Sequence, residues 1–336
     1  MEKIDFVITW VDGNDTKWKN DRDKYAKMEI NNNTELFKTW INNESRYRDW
    51  DTLKYWFRGV EKFAPWVNKI YFITYGHLPK WLNTKNEKLI IVNHEDFIPK
   101  EYLPTFNSNA IELNMHRIKN LSNNFVYFND DVFLLKNVKP TDFFKNNHPC
   151  EMAALDAVEL EHDKTHAEIN NIKIINKYFN KKEVFKKNWT KWFKLRYGRH
   201  LIQTILLMPW QKFKGIDETH IDHPYKKEYF DKIWKLEKDI CDKTSKNKFR
   251  NDNDINHWLV RDYQIVSGDF YPRGKSFGKR FIKKIDDDIT NTIVRQKCKC
   301  VCINDVDCSY EEFLEQKKKL HKAFEKILPE KSNFER

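Results

Sequence analysis

Apolar and polar positions fall into a regular order over the first 134 residues. Ile4–Val11 is an apolar run rich in β-branched and aromatic residues, which predicts a buried strand. It runs into Thr9-Trp10-Val11-Asp12-Gly13, where Asp-Gly makes a tight turn. Residues 16–48 are polar and rich in Asn and Lys, with a weak helical pattern that suggests an insertion or lid. Asp51 reads as an N-cap, after which Leu53, Trp56, Phe57, Val60 and Phe63 share one helical face and Pro65 stops the helix. Lys69–Thr74 and Lys88–Val92 are further strands. A loop over Leu103–Asn109 feeds a helix predicted over Ala110–Leu121, on which Glu112 and His116 share a face. Phe125–Phe128 is another strand, halted by Asn129-Asp130-Asp131 before Val132, Phe133 and Leu134 resume the apolar pattern. Strand, helix, strand, connection, strand predicts an α/β fold: a Rossmann-like (GT-A-like), doubly wound, mostly parallel sheet.

The later pattern is less regular. Trp189, Trp192 and Phe193 suggest an aromatic helix. Leu201–Trp210 is the most apolar stretch, with Arg196, Arg199, Lys212 and Lys214 around it. It is too short to span a bilayer, and a buried core helix is the preferred reading over a segment lying on a membrane. His220-Ile-Asp-His-Pro-Tyr225 precedes a helix expected over Lys226–Ile240, which would set His223 at a helix start. Tyr263–Val266 reads as a strand. Lys297–Asp305 alternates like a strand with Cys298, Cys300 and Cys302 on one face. With Cys308 these make four cysteines, but without the paired spacing usual for structural zinc. Ser309-x-x-Glu312 opens the closing helix as a capping box.

The chemistry concentrates where strands end. Two carboxylates inside an apolar run are costly to bury unpaired, and a divalent cation at a strand's end would neutralise Asp130 and Asp131. An Asn-Asp turn closing a strand fits the same residues. Thr9, Asp12 and the adjacent amides are placed to hold a nucleotide, although an ordinary strand-to-loop turn also fits. His223 titrates near neutrality when unperturbed, which suits a general base. Arg250 is a candidate phosphate clamp, or a partner for Asp252. Glu112 and His116 are compatible with a surface pair or with a core histidine held by a carboxylate.

Composition narrows the class. The chain has 336 residues, enough for one large or two modest domains. Aromatics at 15% exclude a disordered chain, and 8 Gly with 10 Pro exclude a low-complexity one. A net charge of +11 suits an anionic partner, but the lysines are spread along the chain, which disfavours nucleic acid. Met1-Glu-Lys-Ile-Asp-Phe6 carries no export signal, so the six cysteines are expected to be reduced thiols in a cytoplasm.

Several segments together resemble one family. They are Ile4-Asp-Phe-Val-Ile-Thr-Trp-Val-Asp-Gly-Asn-Asp15; Arg58 through Ala64-Pro-Trp-Val67; Ile73-Thr-Tyr-Gly76; Pro79-Lys-Trp-Leu82; Asn93-His-Glu-Asp96; Leu103-Pro-Thr-Phe106; Asn109-Ala-Ile-Glu112; His116-Arg-Ile118; and Tyr127-Phe-Asn-Asp-Asp-Val132. His223-Pro224 with Phe249-Arg250, and Cys302-Ile-Asn-Asp305 with Pro329–Glu335, follow in the same order. The chain resembles the Stealth family of sugar-1-phosphate transferases, which includes bacterial capsular-polysaccharide phosphotransferases and the catalytic part of the lysosomal-enzyme GlcNAc-1-phosphotransferase. That family usually carries a small residue before its His-Pro, where this chain has Asp222.

The resemblance implies transfer of a hexose-1-phosphate or N-acetylhexosamine-1-phosphate from a UDP-sugar to a hydroxyl of a glycan or lipid-linked oligosaccharide, releasing UMP. It implies Mg²⁺ or Mn²⁺ held by Asp130, Asp131, Asn304 and Asp305. Thr9, Trp10 and Asp12 would meet the uridine end, Arg250 and Arg117 the phosphate, and His223 the acceptor's proton. Asn109, Glu112 and His116 would line the substrate site. Residues 1–144 would form the nucleotide-sugar half, 145–220 a helical insertion on the acceptor or membrane side, and 221–336 the part completing the site. The implied enzyme is bacterial, cytoplasmic and compatible with peripheral membrane contact. A metal-dependent glycosyltransferase releasing UDP is the alternative, and a polyanion-binding module is favoured by charge and aromatics alone.

Overall fold

A computed structural model describes residues 2–30, 48–159 and 165–336. In chain order the elements begin with β1 (Ile4–Thr9), α1 (Thr16–Ile30), α2 (Leu53–Phe63), β2 (Ile70–Thr74), β3 (Leu89–Asn93), α3 (Ser108–Leu113), β4 (Asn124–Phe128) and β5 (Val132–Leu134). There follow α4 (Pro140–Phe143), β6 (Phe144–Lys145), β7 (His148–Glu151), α5 (Thr165–Tyr178), α6 (Lys181–Trp192), α7 (Arg199–Leu207), β8 (His223–Lys226), α8 (Lys227–Leu236) and α9 (Lys238–Lys246). The chain closes with α10 (Trp258–Val266), β9 (Tyr271–Pro272), β10 (Gly278–Phe281), α11 (Asp287–Val294), β11 (Cys300–Ile303) and α12 (Tyr310–Ile327).

The chain divides into two compact units of discontinuous segments. The first comprises Met1–Asp5, Glu95–Tyr127 and Lys139–Phe277; the second comprises Phe6–His94, Phe128–Val138 and Gly278–Arg336. The second unit contains the expected parallel ladder, with Phe6 opposite Ile70 and Ile70 opposite Leu89. Helix α2 lays Trp56 and Phe57 against Phe128 and Phe72, with ring centroids 5.7 and 5.8 Å apart. Arg58, on the same helix, reaches Glu335 through Nε and Nη2 at 2.8 Å and Leu328 O at 2.9 Å. This pins the closing segment, where Phe334 packs tilted against Phe57. A second small sheet pairs β11 with β10 in parallel and with β5 antiparallel. In the first unit β4 pairs antiparallel with β8, and β7 runs antiparallel to β6 and parallel to β9. The fold is mixed α/β with a parallel-rich strand arrangement, as the pattern predicts.

Several local expectations are corrected. Thr52, not Asp51, is the N-cap of α2; Asp51 takes a positive φ of 51°. The helix expected to Leu121 stops at Leu113, followed by a 3-10 turn. Its terminal carbonyls are taken by side chains: Asn114 donates to Ala110 O at 2.8 Å, and Trp234 Nε1 to Leu113 O at 2.9 Å. With those acceptors occupied the ladder does not continue. Glu112 and His116 therefore do not share a helical face. Tyr263–Val266 is helix, not strand; α10 is buried around most of its circumference, and such a segment lacks the periodicity that tells a helix from a buried strand. His223-Pro224 lies in strand β8, and the helix begins only at Lys227. Cys298 falls outside β11.

Helix α7 overturns the expected core helix. Of its residues only Thr204 is buried. Thr204 Oγ1 accepts from Leu155 N at 3.0 Å and donates to His200 O at 2.8 Å, so the polar face points inward. Beyond Ile30 the expected lid lies outside the described residues until Arg48. No helix among the described residues is long and apolar enough to cross a membrane.

Candidate active site

In the second unit the residues after β1 and β5 are positioned by backbone register. Trp10 is nearly buried, stacked on Phe72 at 5.7 Å and edge-on to His77 at 5.3 Å. The amide of Asp12 donates to His77 Nε2 at 2.7 Å, and Asp12 Oδ1 accepts from Asn14 N at 2.8 Å. His77 must be the neutral acceptor tautomer for that bond, and burial lowers its pKa accordingly. It follows Gly76, whose φ of +112° makes the turn. Sequence reading did not single out His77, which fixes the loop that carries Asp12.

Val132 faces Cys302 across the β5–β11 ladder, so Asp131 and Asn304 come side by side. Asn304 Nδ2 donates to Asp131 Oδ2 at 2.6 Å, and Asn304 Oδ1 accepts from Arg280 Nε at 2.7 Å. Asn304 is thus a bridge that carries the Arg280 charge toward Asp131. Asp131 Oδ1 is buried, and the Cys302 thiol beside it is a weak donor. Burial raises Asp131, and Cys302, Arg280 and Asn304 work against that rise. Asp130 still reaches solvent. Crowding by protein, then the charges of Asp131 and Asp49, push it up to about 7. Asp305 forms a forked pair with Arg48, Nε to Oδ2 and Nη2 to Oδ1, each at 3.2 Å. Of the four expected metal-site residues, Asp131 and Asn304 touch, while Asp305 is held by an arginine. The chemistry of the donor set fits a hard cation: adjacent carboxylates that resist ionising together, one with a buried, under-satisfied oxygen.

In the first unit a histidine–carboxylate cluster surrounds β8. Glu112 accepts from Tyr127 Oη at 3.1 Å and lies 3.5 Å from His257 Nε2. Tyr225 Oη donates to His257 O at 3.1 Å, which leaves it to accept from His257 Nδ1 at 2.7 Å. Burial raises Glu112 to about 7, opposed by Arg250 and the Tyr127 hydrogen bond. Burial, then Arg261 and Arg250, lower His257 to about 3. Below about pH 7 this pair therefore holds a carboxyl proton rather than an ion pair.

His223 packs edge-on to His257 at 5.0 Å, with Nε2 3.6 Å from Glu218 Oε1. Burial, followed by the charges of His257, Arg261, His220 and Arg273, holds His223 well below its ordinary range, so it is neutral. Burial raises Glu218 to about 7. Behind it Arg261, fully buried, meets Glu218 at 3.4 Å, Glu151 at 3.1 Å and Asp262 at 3.3 Å. Asp222, the residue before His223-Pro, is bound by Arg273 at 2.6 Å.

The remaining predicted residues have partners of their own. Arg250 clamps Ser108 Oγ, with Nη2 at 2.6 Å, rather than pairing with Asp252. Asn109 Nδ2 is tied to Asp254 at 3.3 Å. His116 stacks on Phe230 at 5.8 Å, and Arg117 lies over Trp234 at 4.5 Å. His257, Glu218, Arg261 and Glu151 were not anticipated. The adjacent charges Arg261-Asp262 inside the apolar run 258–266 were their visible signal.

The chain matches the Stealth protein conserved region 1 over residues 2–29 and conserved region 2 over residues 46–152. It is 47% identical over 338 residues to the capsular polysaccharide phosphotransferase WcwK of Streptococcus pneumoniae, covering 100% of this chain and 99% of that protein. It is 40% identical to the exopolysaccharide phosphotransferase cps2G of Lactiplantibacillus plantarum, covering 99% and 96%. The galactosyltransferase LgtC, solved with donor and acceptor sugar analogues, is similar at a TM-score of 0.37 and 10% identity, over 94% of this chain and 95% of that one. By full-length similarity, and by both conserved regions that carry its N-terminal strand and its Asn-Asp-Asp turn, the chain belongs to the Stealth family.

Proposed function

We propose that the protein is a sugar-1-phosphate transferase acting in bacterial capsular or exopolysaccharide synthesis. The single observation that carries the reaction class is the end-to-end similarity to relatives named polysaccharide phosphotransferases. A glycan hydroxyl attacks the β-phosphorus of a UDP-hexose. The bond to the bridging oxygen breaks, UMP leaves, and a sugar phosphodiester forms. The donor is UDP-linked, the acceptor is a glycan or lipid-linked oligosaccharide, and the protein works in the cytoplasm in peripheral contact with the membrane.

Asp130 and Asp131 are the oxygens we assign to Mg²⁺ or Mn²⁺, with Asn304 holding Asp131 in place and Asp305 closing the acidic end with Arg48. When bound, the cation supplies positive charge to the diphosphate as negative charge builds on the leaving UMP. Thr9, Trp10 and Asp12 serve the uridine end. His223 is neutral and takes the acceptor's proton, and the nearby Glu218 stabilises the imidazolium so formed. Arg250 is assigned to phosphate, Arg117 to an outer phosphate contact, and Asn109, Glu112 and His116 to the substrate pocket. Residues 145–220 are assigned to the acceptor side.

The test is nucleotide release. Purified protein with Mg²⁺, a panel of UDP-hexoses and an acceptor preparation should yield acceptor-dependent UMP. Acceptor-dependent UDP would assign it instead to ordinary glycosyl transfer.

A further inference from the structure

We infer that helix α7 and the turn before it form a docking face for an anionic lipid bilayer. The helix is inverted relative to a normal surface helix. Its polar residue Thr204 is turned inward, while Ile202 is 61%, Ile205 52% and Leu206 66% exposed. These three lie at i, i+3 and i+4, on one face. Leu195, in the preceding turn, is 89% exposed, and Trp210 beyond the helix is 49% exposed. The arrangement is built rather than frayed. Lys181 Nζ donates to Leu207 O at 2.7 Å and to Trp210 O at 2.8 Å, fixing the helix's end with the apolar face outward.

Charge names the occupant. Between Glu183 and Asp217 the chain has no carboxylate and eight Lys or Arg residues. Lys194 and Arg196, flanking Leu195, line a cavity of about 330 Å³ together with Lys191, His148 and Tyr271. An apolar tip beside a cationic recess matches an acyl surface with a phosphate headgroup above it. A second copy of this chain would bring the same positive face against itself in a two-fold contact, and the charges would repel.

This face deepens the reading above by saying how the enzyme would meet a lipid-linked acceptor, and it rests on that reading for its purpose. Binding itself is measured without donor or acceptor, so failure of either leaves the other standing. The experiment is co-sedimentation of full-length protein with phosphatidylcholine vesicles, with and without phosphatidylglycerol. The paired variants I202E/L206E and K194E/R196E are compared, with melting curves to verify folding. Every substituted side chain faces solvent or the cavity rim.

Wild type is expected to partition at least about tenfold more onto the anionic vesicles. I202E/L206E should lose binding to both by about tenfold, and K194E/R196E should lose the anionic preference. Three results would overturn the inference. One is wild type remaining in the supernatant. Another is folded I202E/L206E pelleting like wild type. The last is wild type running as a dimer that I202E/L206E dissolves, without vesicle binding.

Discussion

The two units hold their reactive groups by opposite means. In the second unit, Asp130 and Asp131 sit on a tight turn, and Asp130 remains open to solvent. Asn304, itself held by Arg280, braces the pair. In the first unit, His223 and Arg261 are buried in a strand-and-helix layer, with the slightly exposed Glu218 beside them. An open carboxylate pair can be neutralised by a cation from solvent. A sealed cluster must balance its charge from its own residues, and here Arg261 serves three carboxylates. The lesson is that only the open site should respond to metal, while the closed one should respond to proton concentration and to any broken partner.

The sharpest way to break the comparison is to remove one group from each side. Asp131→Asn and His223→Ala should each lower UMP release by about 10²–10⁴-fold with folding intact. They should differ in metal affinity: Asp131→Asn loses Mn²⁺ binding measured by calorimetry, and His223→Ala keeps it. Substantial activity in either folded variant removes that residue from the mechanism. Loss of metal binding in His223→Ala would dissolve the contrast itself.

A second test reads stability. Arg261→Met leaves Glu151, Glu218 and Asp262 without their shared cation and should cost about 3–5 kcal/mol in urea unfolding. A variant that unfolds at the wild-type midpoint would mean that those carboxyls are already neutral in the native state. Arg280→Met, in the more open unit, should cost much less. A third test is milder and concerns bracing. Asn304→Ala should weaken Mn²⁺ binding and UMP release together by about 10–100-fold, because it frees Asp131 to rotate. Weakened activity at unchanged metal affinity would assign Asn304 to substrate instead.

The open site was far more legible in the sequence than the sealed one. Asn129-Asp130-Asp131 interrupts an apolar run, and such an interruption is visible wherever a polar group has to surface. The strands of the second unit were equally plain, because buried parallel strands read as continuous apolar runs. Arg261 and Asp262 interrupt a run too, but only the part after them, Tyr263–Val266, carried a reading, as a strand. Glu218 and His257 lie in segments with no period at all, and their meeting with Arg261 depends on tertiary packing. The polarity of α7 misled for the reverse reason. Apolar content argues for burial, but which face turns inward was decided by Thr204, one hydroxyl with two backbone partners.

The smallest expected effect distinguishes the units by pH. Glu218 in the first unit and Asp130 in the second are both raised, from 4.5 and 3.8 respectively, to about 7. A carboxyl with a raised folded pKa favours the native state while protonated. That contribution is complete below the unfolded pKa and is lost as pH rises through the folded one. Glu218→Gln and Asp130→Asn, which mimic the protonated forms, should therefore gain stability relative to wild type between about pH 4 and about pH 7. For buried Glu218 the gain is a few kcal/mol at most, on the order of its pKa shift; for solvent-open Asp130 it is smaller. Mg²⁺ should then separate the two. By binding ionised Asp130 it stabilises the wild type at high pH and erases the advantage of Asp130→Asn, while the advantage of Glu218→Gln stays as it was. Melting temperatures of the three proteins on both sides of this window, with and without Mg²⁺, decide the matter. An advantage for Glu218→Gln that Mg²⁺ removes would show that the cluster around His223 is not sealed from the cation.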